Sequence, residues 1–328
     1  LFVILIIFDF TLEKVFNKKS IVENDELLGW TIKPNMDVRF DHETLKRKKY
    51  IVKYRSSTEK HFREYGNLDN NNKNILVIGD SATGGPYASN EKMYYSVIKN
   101  IFNKNDINLE WFVAGTGGYG TVQQYLLIEK YFKIIKPSII LHQFCTNDFF
   151  DNSVEISRLS TSPNQYYRRP YSINGKITKV NNSFAKIYRF LFDNSFIFKK
   201  FDQIYNYKQF RLYGRFTKDI PNEFILKSIN ETKILFSQIR KLIGQDTLYF
   251  SSNCADEAHD NLSVEWEKII NNINGFPIVE PSKKLINLKN KGFDVHHEDG
   301  GHINEEGNKI YGEIIAQAMM KVIKNEKY

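Results

Sequence analysis

Four apolar residues in a row, Ile75-Leu76-Val77-Ile78, stop abruptly on Gly79-Asp80-Ser81. A short β-branched run without polar alternation reads as a strand buried on both faces, as in a parallel sheet covered by helices. Ala82 to Pro86 then reads as a turn and Glu91 to Asn103 as a helix. The pattern recurs. Phe112-Val113-Ala114 runs into a glycine-dense turn, Gly115 to Thr121, followed by a helix up to Phe132. Ser138 to Cys145 is a third buried strand and Thr247 to Ser252 a fourth, with helices predicted over Ile220–Ile243, Glu265–Asn272 and Asn304–Lys324. Asn304 is a candidate cap of the last helix, with Glu305 and Glu306 suited to its positive end. Strands alternating with helices predict the α/β class and a parallel sheet. Val38 to Arg55 instead shows the two-residue alternation of half-buried strands, after an extended lead-in over Asp25 to Met36.

The strand ends carry the candidate chemistry. Ser81 closes the first strand, where open α/β sheets place their ligands. Asn147-Asp148 follows the third, and Asp299-Gly300-Gly301-His302 precedes the last helix. A serine hydroxyl is a poor nucleophile until a base takes its proton, and His302 is the candidate base. Asp299, three residues earlier, can accept the other ring N–H and stabilise the imidazolium. Asp80 is expected to brace the nucleophile turn and Asp148 to cap the segment after its strand.

In order, Gly-Asp-Ser, a glycine turn, Asn-Asp after a strand and Asp-x-x-His resemble the SGNH hydrolases, also called GDSL esterases and lipases. The resemblance spans about residues 74–324 with an unmatched middle. It implies a three-layer α/β/α sandwich on a parallel, flavodoxin-like sheet, with an inserted cap region between the third and fourth core strands. It also implies a catalytic triad of Ser81, Asp299 and His302, with the Ser81 and Gly118 backbone N–H groups and the Asn147 amide as oxyanion hole. Val113 stands where the family carries an asparagine, and Cys145 where its Asn-Asp block usually opens with glycine. Tyr119-Gly120-Thr121, Gln123 and Gln124 are similar to a membrane-anchored bacterial subgroup. The function implied is a serine esterase acting on O-acyl, above all O-acetyl, esters of a carbohydrate or lipid. The alternatives are an O-acyltransferase modifying an exported polysaccharide and a non-catalytic glycan-binding or assembly protein.

Other readings of the same residues are weaker. Gly115-x-Gly117-x-x-Gly120 satisfies the dinucleotide fingerprint, but it sits in the second strand–helix unit and no acidic residue ends the next strand. No cofactor is expected. His297 and His302 are five apart with Gly300-Gly301 between them, unlike the four-residue helical spacing of zinc proteases. No metal is expected either, and His296 and His297 read as rim residues of the cleft. The net charge of +8 comes from scattered lysines, with Lys46-Arg47-Lys48-Lys49 the densest cluster, so nucleic acid is not an expected partner. Two cysteines, Cys145 and Cys254, exclude a disulfide framework and read as packing residues at strand ends. Leu1 to Phe8 is an unbroken apolar run resembling the tail of a signal anchor, which implies a membrane-bound protein with an extracytoplasmic body. The organisation expected is an anchor remnant and linker over 1–24, a lead-in over 25–73 and a hydrolase domain over 74–328. Within it, the aromatic and basic stretch 152–219 is an insertion, read as a helical cap packing its own aromatics.

Overall fold

The computed structural model describes residues 9, 11, 20–254, 260–273 and 276–325. The chain divides into two compact units, residues 1–31 with 149–235 and residues 32–148 with 236–328. The apolar run Leu1–Phe8 expected as a membrane anchor lies outside the described residues. Among those described, no helix is long and apolar enough to cross a membrane.

Twelve strands are found among the described residues. β1 (Val22–Asp25) and β2 (Gly29–Ile32) pair with each other, and β3 (Asp37–Glu43) and β4 (Lys49–Arg55) form an antiparallel hairpin. β5 (Phe62–Glu64), β6 (Lys73–Gly79), β7 (Leu109–Gly115) and β8 (Ile139–Phe144) enter the main sheet. β9 (Pro170–Ile173) and β10 (Lys176–Lys179) make a small hairpin, and β11 (Leu248–Asn253) and β12 (Ile278–Val279) complete the main sheet. Its order is β12-β11-β8-β6-β7-β5, with all neighbours parallel except the edge strand β5. Counting the parallel strands along the chain gives the order 2-1-3-4-5, the flavodoxin-like winding. The break between third and fourth strands holds residues 149–235 of the other unit, whose remaining residues, 1–31, precede the core strands.

Both faces of this sheet are covered, which is why its strands show no polar alternation. Ile75, Val77, Trp111, Val113, Ile139 and Leu141 pack into one core with the helices Tyr94–Asn103, Ser282–Asn290 and Glu305–Asn325. Leu76, Ile78, Phe112 and Ile140 are as deeply buried on the opposite face. Each such side chain removed from water contributes roughly 2 kcal/mol.

That second face also buries a titratable group. His142 is fully buried, its two ring nitrogens hydrogen-bonded to the Gln124 amide oxygen and the Tyr249 hydroxyl. Burial pushes its pKa down to about 3, so the ring is neutral in the folded protein. The unfolded chain takes up a proton below about pH 6.5 that the folded state refuses, so stability falls as pH drops from there towards 3. We expect a slope approaching about 1.4 kcal/mol per pH unit from His142 across that window, measurable by urea melts at pH 7 and 5.

The two cysteines differ from the sequence reading. Cys145 and Cys254 are not separate packing residues but form a disulfide, with Cα atoms 5.1 Å apart. The cause is register: Phe144 pairs with Asn253 across parallel strands, so the next residue of each lies beside the other. The bond spans 109 positions of sequence and so encloses the inserted segment. Replacing both by serine should cost about 2–5 kcal/mol in denaturant melts, because the closed loop is long.

The inserted unit builds its own interior. The β9–β10 hairpin turns on Asn174-Gly175, both at positive φ, as a two-residue turn of this twist requires. The Glu231 carboxylate accepts from the Asn174 and Gly175 amides and the Ser172 hydroxyl, fastening that turn. Tyr167, Phe184, Phe192 and Phe198 pack their rings around Tyr188, and Arg169 is buried against Asp151.

Candidate active site

Ser81 follows β6 directly. The segment after it is not an irregular turn, as its glycines suggest, but one helical turn, Ser81–Gly84. Asp80 caps it, its carboxylate accepting from the Ala82 amide at 3.0 Å and from the Ser81 hydroxyl at 3.4 Å. Gly84 is required by closeness: a Cβ there would stand 1.8 Å from the Gly115 carbonyl oxygen at the end of β7. Thr83 donates to the Gln143 side chain at 2.6 Å and lies 2.8 Å from the Tyr94 hydroxyl. Gln143 reaches Tyr311, which donates to the Asn253 carbonyl at 2.6 Å. The serine turn is thus tied by buried polar groups to β8, β11 and two helices.

His302 and Asp299 lie on a tight loop before the last helix. His297 N–H donates to the His302 carbonyl at 2.9 Å, and Asn304 N–H to the Val295 carbonyl at 3.1 Å. Gly300 occupies the left-handed region, φ +74°, which lets the chain reverse between them. The β3–β4 hairpin clasps the loop from outside. Glu298 N–H donates to the Glu43 carbonyl at 3.0 Å, and the Thr44 hydroxyl to the Asp294 carboxylate at 2.9 Å. His296 is therefore a buried member of this clasp, not a rim residue, while His297, though buried, also lines the cavity beside Asp299. His297 lies 2.8 Å from both the Tyr50 hydroxyl and the Tyr87 carbonyl. Desolvation lowers its pKa to about 4 against the opposing pull of the Tyr87 carbonyl, so His297 is neutral at pH 7.

These two loops meet. Ser81 Oγ stands 2.9 Å from His302 Nε2, across 221 positions of sequence. His302 Nδ1 stands 2.6 Å from Asp299 Oδ2. Burial alone would raise the Asp299 pKa. The hydrogen bond and charge of His302, with the Gly301 and His302 amides on the same carboxylate, outweigh it and hold the pKa at about 2. Asp299 is therefore an anion throughout the ordinary pH range, able to hold His302 with its Nε2 facing the serine.

Gly118 and Asn147 lie in the loops after β7 and β8, which end in register with β6 at the same sheet edge. Gly118 adopts φ +76°, and a Cβ on its neighbour Gly117 would stand 3.8 Å from Ser81 Cβ. Asp148 opens the short helix Asp148–Asn152 and accepts from the Thr121 hydroxyl at 3.1 Å. Among the described residues, no three or more His, Cys, Asp or Glu side chains converge as a metal-ligand set.

No protein-family profile matches this sequence, and no curated protein does. Solved structures do share its outline. A family 3 carbohydrate esterase of Clostridium thermocellum is 13% identical, covering 77% of this chain and 98% of its own, at a TM-score of 0.44. A lipase/acylhydrolase of Enterococcus faecalis is 14% identical, covering 77% and 96%, at 0.45. A psychrotrophic esterase of Pseudoalteromonas is 10% identical, covering 77% and 100%, at 0.45. Overlap this loose leaves the functional argument to the site's own geometry.

Three residues at the site carry no motif. Tyr87 lays its ring flat on His302, centroids 3.7 Å apart and planes within 9°. With His42, Tyr50 and His297 it lines a cavity of about 850 Å³ beside Asp299, with Asp41 and Glu298 at its margin. The only signal for Tyr50 and His42 is the strand alternation that places them on the clasping hairpin. Aromatic contacts of this kind are worth about 0.5–1.5 kcal/mol. Tyr87→Ala should accordingly lower kcat/KM for a small ester about three- to tenfold, while Tyr87→Phe, which keeps the stack, leaves it near the wild-type value.

Proposed function

We propose that this chain is a serine esterase of the SGNH hydrolase type, acting on O-acyl esters, in particular O-acetyl esters, of a carbohydrate or lipid. The observation that carries the reading is the unbroken run of hydrogen-bond distances from Ser81 through His302 to Asp299. In the reaction, His302 Nε2 takes the Ser81 proton as Oγ attacks the ester carbonyl carbon. The carbonyl electron pair moves onto oxygen, where the Ser81 and Gly118 N–H groups and the Asn147 amide are the proposed donors. Collapse expels the alkoxide, which takes the proton from His302 and leaves an acyl-enzyme on Ser81. Water, deprotonated by the same ring, releases the carboxylic acid. Asp299 supplies the charge that stabilises the imidazolium at each stage.

The cavity beside Asp299 supports an acceptor of sugar size, because Tyr50 and Tyr87 line it together with Asp41 and Glu298. The Cys145–Cys254 disulfide supports an oxidising compartment, and with the apolar run at Leu1–Phe8 it favours an extracytoplasmic, membrane-anchored enzyme.

Ser81→Ala should cut hydrolysis of nitrophenyl acetate by at least about 10⁴-fold with the melting temperature unchanged, and Asp299→Asn by roughly 10³–10⁴-fold. Asn147→Ala should cost about 10²-fold in kcat. Retained turnover in folded Ser81→Ala protein refutes the assignment.

A further inference from the structure

Two consecutive helices of the inserted unit, Ser183–Asn194 and Phe196–Tyr213, turn large apolar side chains to solvent. On the second, Ile197, Phe201, Ile204, Tyr205 and Leu212 recur at helical spacing and share one face with Lys208 among them, while Tyr207, Phe210 and Tyr213 stand on other faces. All are exposed, Phe201 to 69% and Leu212 to 71%. Phe184, Ile187 and Phe190 are exposed in the same way on the first helix. Isolated exposed apolar residues need no explanation, but a stripe of this extent on two adjoining helices marks an interaction surface.

The charges on these helices identify the occupant. Lys186, Lys200, Lys208 and Arg211 are exposed. The two carboxylates, by contrast, are withdrawn. Asp202 is buried and accepts from Tyr188, Asn164 and Asn206, while the partly buried Asp193 faces Arg168. No exposed carboxylate stands on either helix, so the surface is apolar and aromatic and the exposed charges on it are all cationic. A second copy of the same surface would set like charges against one another. An anionic bilayer suits it, since aromatic and aliphatic groups enter the headgroup boundary while lysines meet lipid phosphates. A second observation agrees. Asp9 accepts from the Ile197 amide at 2.8 Å, so the residue that follows the apolar run in sequence lies at the start of the second helix.

We propose that the helices 183–194 and 196–213 form an interfacial docking surface for anionic phospholipid, separate from any anchoring by the chain's first residues. This surface holds the inserted unit against a membrane and takes no part in the ester chemistry.

The full chain is floated with phosphatidylcholine vesicles containing about 30% phosphatidylglycerol, and with phosphatidylcholine alone. Wild type should bind the anionic vesicles more tightly, with affinity falling as salt rises. The double variant Phe201→Glu/Leu212→Glu should bind at least about tenfold more weakly while hydrolysing a soluble ester at the wild-type rate. Phe201→Trp should show a blue-shifted emission on adding anionic vesicles. Unchanged partition of the double variant overturns the proposal, because lipid binding then belongs to Leu1–Phe8 alone. So does a wild-type dimer, or a complex with an acidic protein, that the double variant loses while vesicle binding persists.

Discussion

The constraint on which the site depends is the common register of the parallel strands. Gly79 pairs with Gly115 across β6 and β7, Ile78 with His142 across β6 and β8, and Phe144 with Asn253 across β8 and β11. Four strands therefore end at one edge, and whatever follows each is delivered there: Ser81, the Gly117-Gly118 loop, Cys145 with Asn147, and Cys254. A slip of one residue would send every side chain of the displaced strand to the opposite face. Apolar runs buried on both faces resist such a slip poorly, because both alternatives are apolar. The discriminating contacts are polar and close. Thr83 on Gln143, Gln143 on Tyr311 and the bare Gly84 against Gly115 each fit one register only.

Much of this was legible from residue order, and the exceptions have physical causes. The buried strands could be read because helices on both sides leave no polar positions in them. The placement of the candidate residues could be read because serine, asparagine and an Asp-x-x-His pair stand immediately after predicted strands or before a predicted helix. The serine turn is an exception. Its glycines suggest irregular chain, but they serve close approach to β7 and are compatible with a helical turn capped by Asp80. The disulfide was not legible either, since two cysteines 109 positions apart acquire meaning only when the strand register is known. Tyr87 belongs to the same class. Its stacking on His302 joins two loops that sequence places far apart, and no spacing rule points to it.

The insertion illustrates a different limit. Its aromatic richness announces a region that packs rings, and the cluster around Tyr188 does so. Composition alone does not say which rings go inward. Only the helical phase separates Tyr188 and Phe198, turned to the interior, from Phe190 and Phe201, turned to solvent. The same number of aromatics in another phase would have made a larger core and no surface.

Two histidines five positions apart show how burial assigns their roles. His297 is enclosed by the hairpin clasp, and the cost of placing a charge there depresses its pKa to about 4. His302 shares its loop but presents Nε2 to Ser81 and Nδ1 to an ionised carboxylate. His297 therefore offers a proton no favourable place. If His297 were as open as His302, it would titrate nearby and its charge would oppose the imidazolium the proposed reaction needs. The hairpin that hides His297 thus supports the candidate site beyond lining its cavity. It holds the loop in place through the Glu298 and Thr44 hydrogen bonds, and it keeps the neighbouring ring neutral.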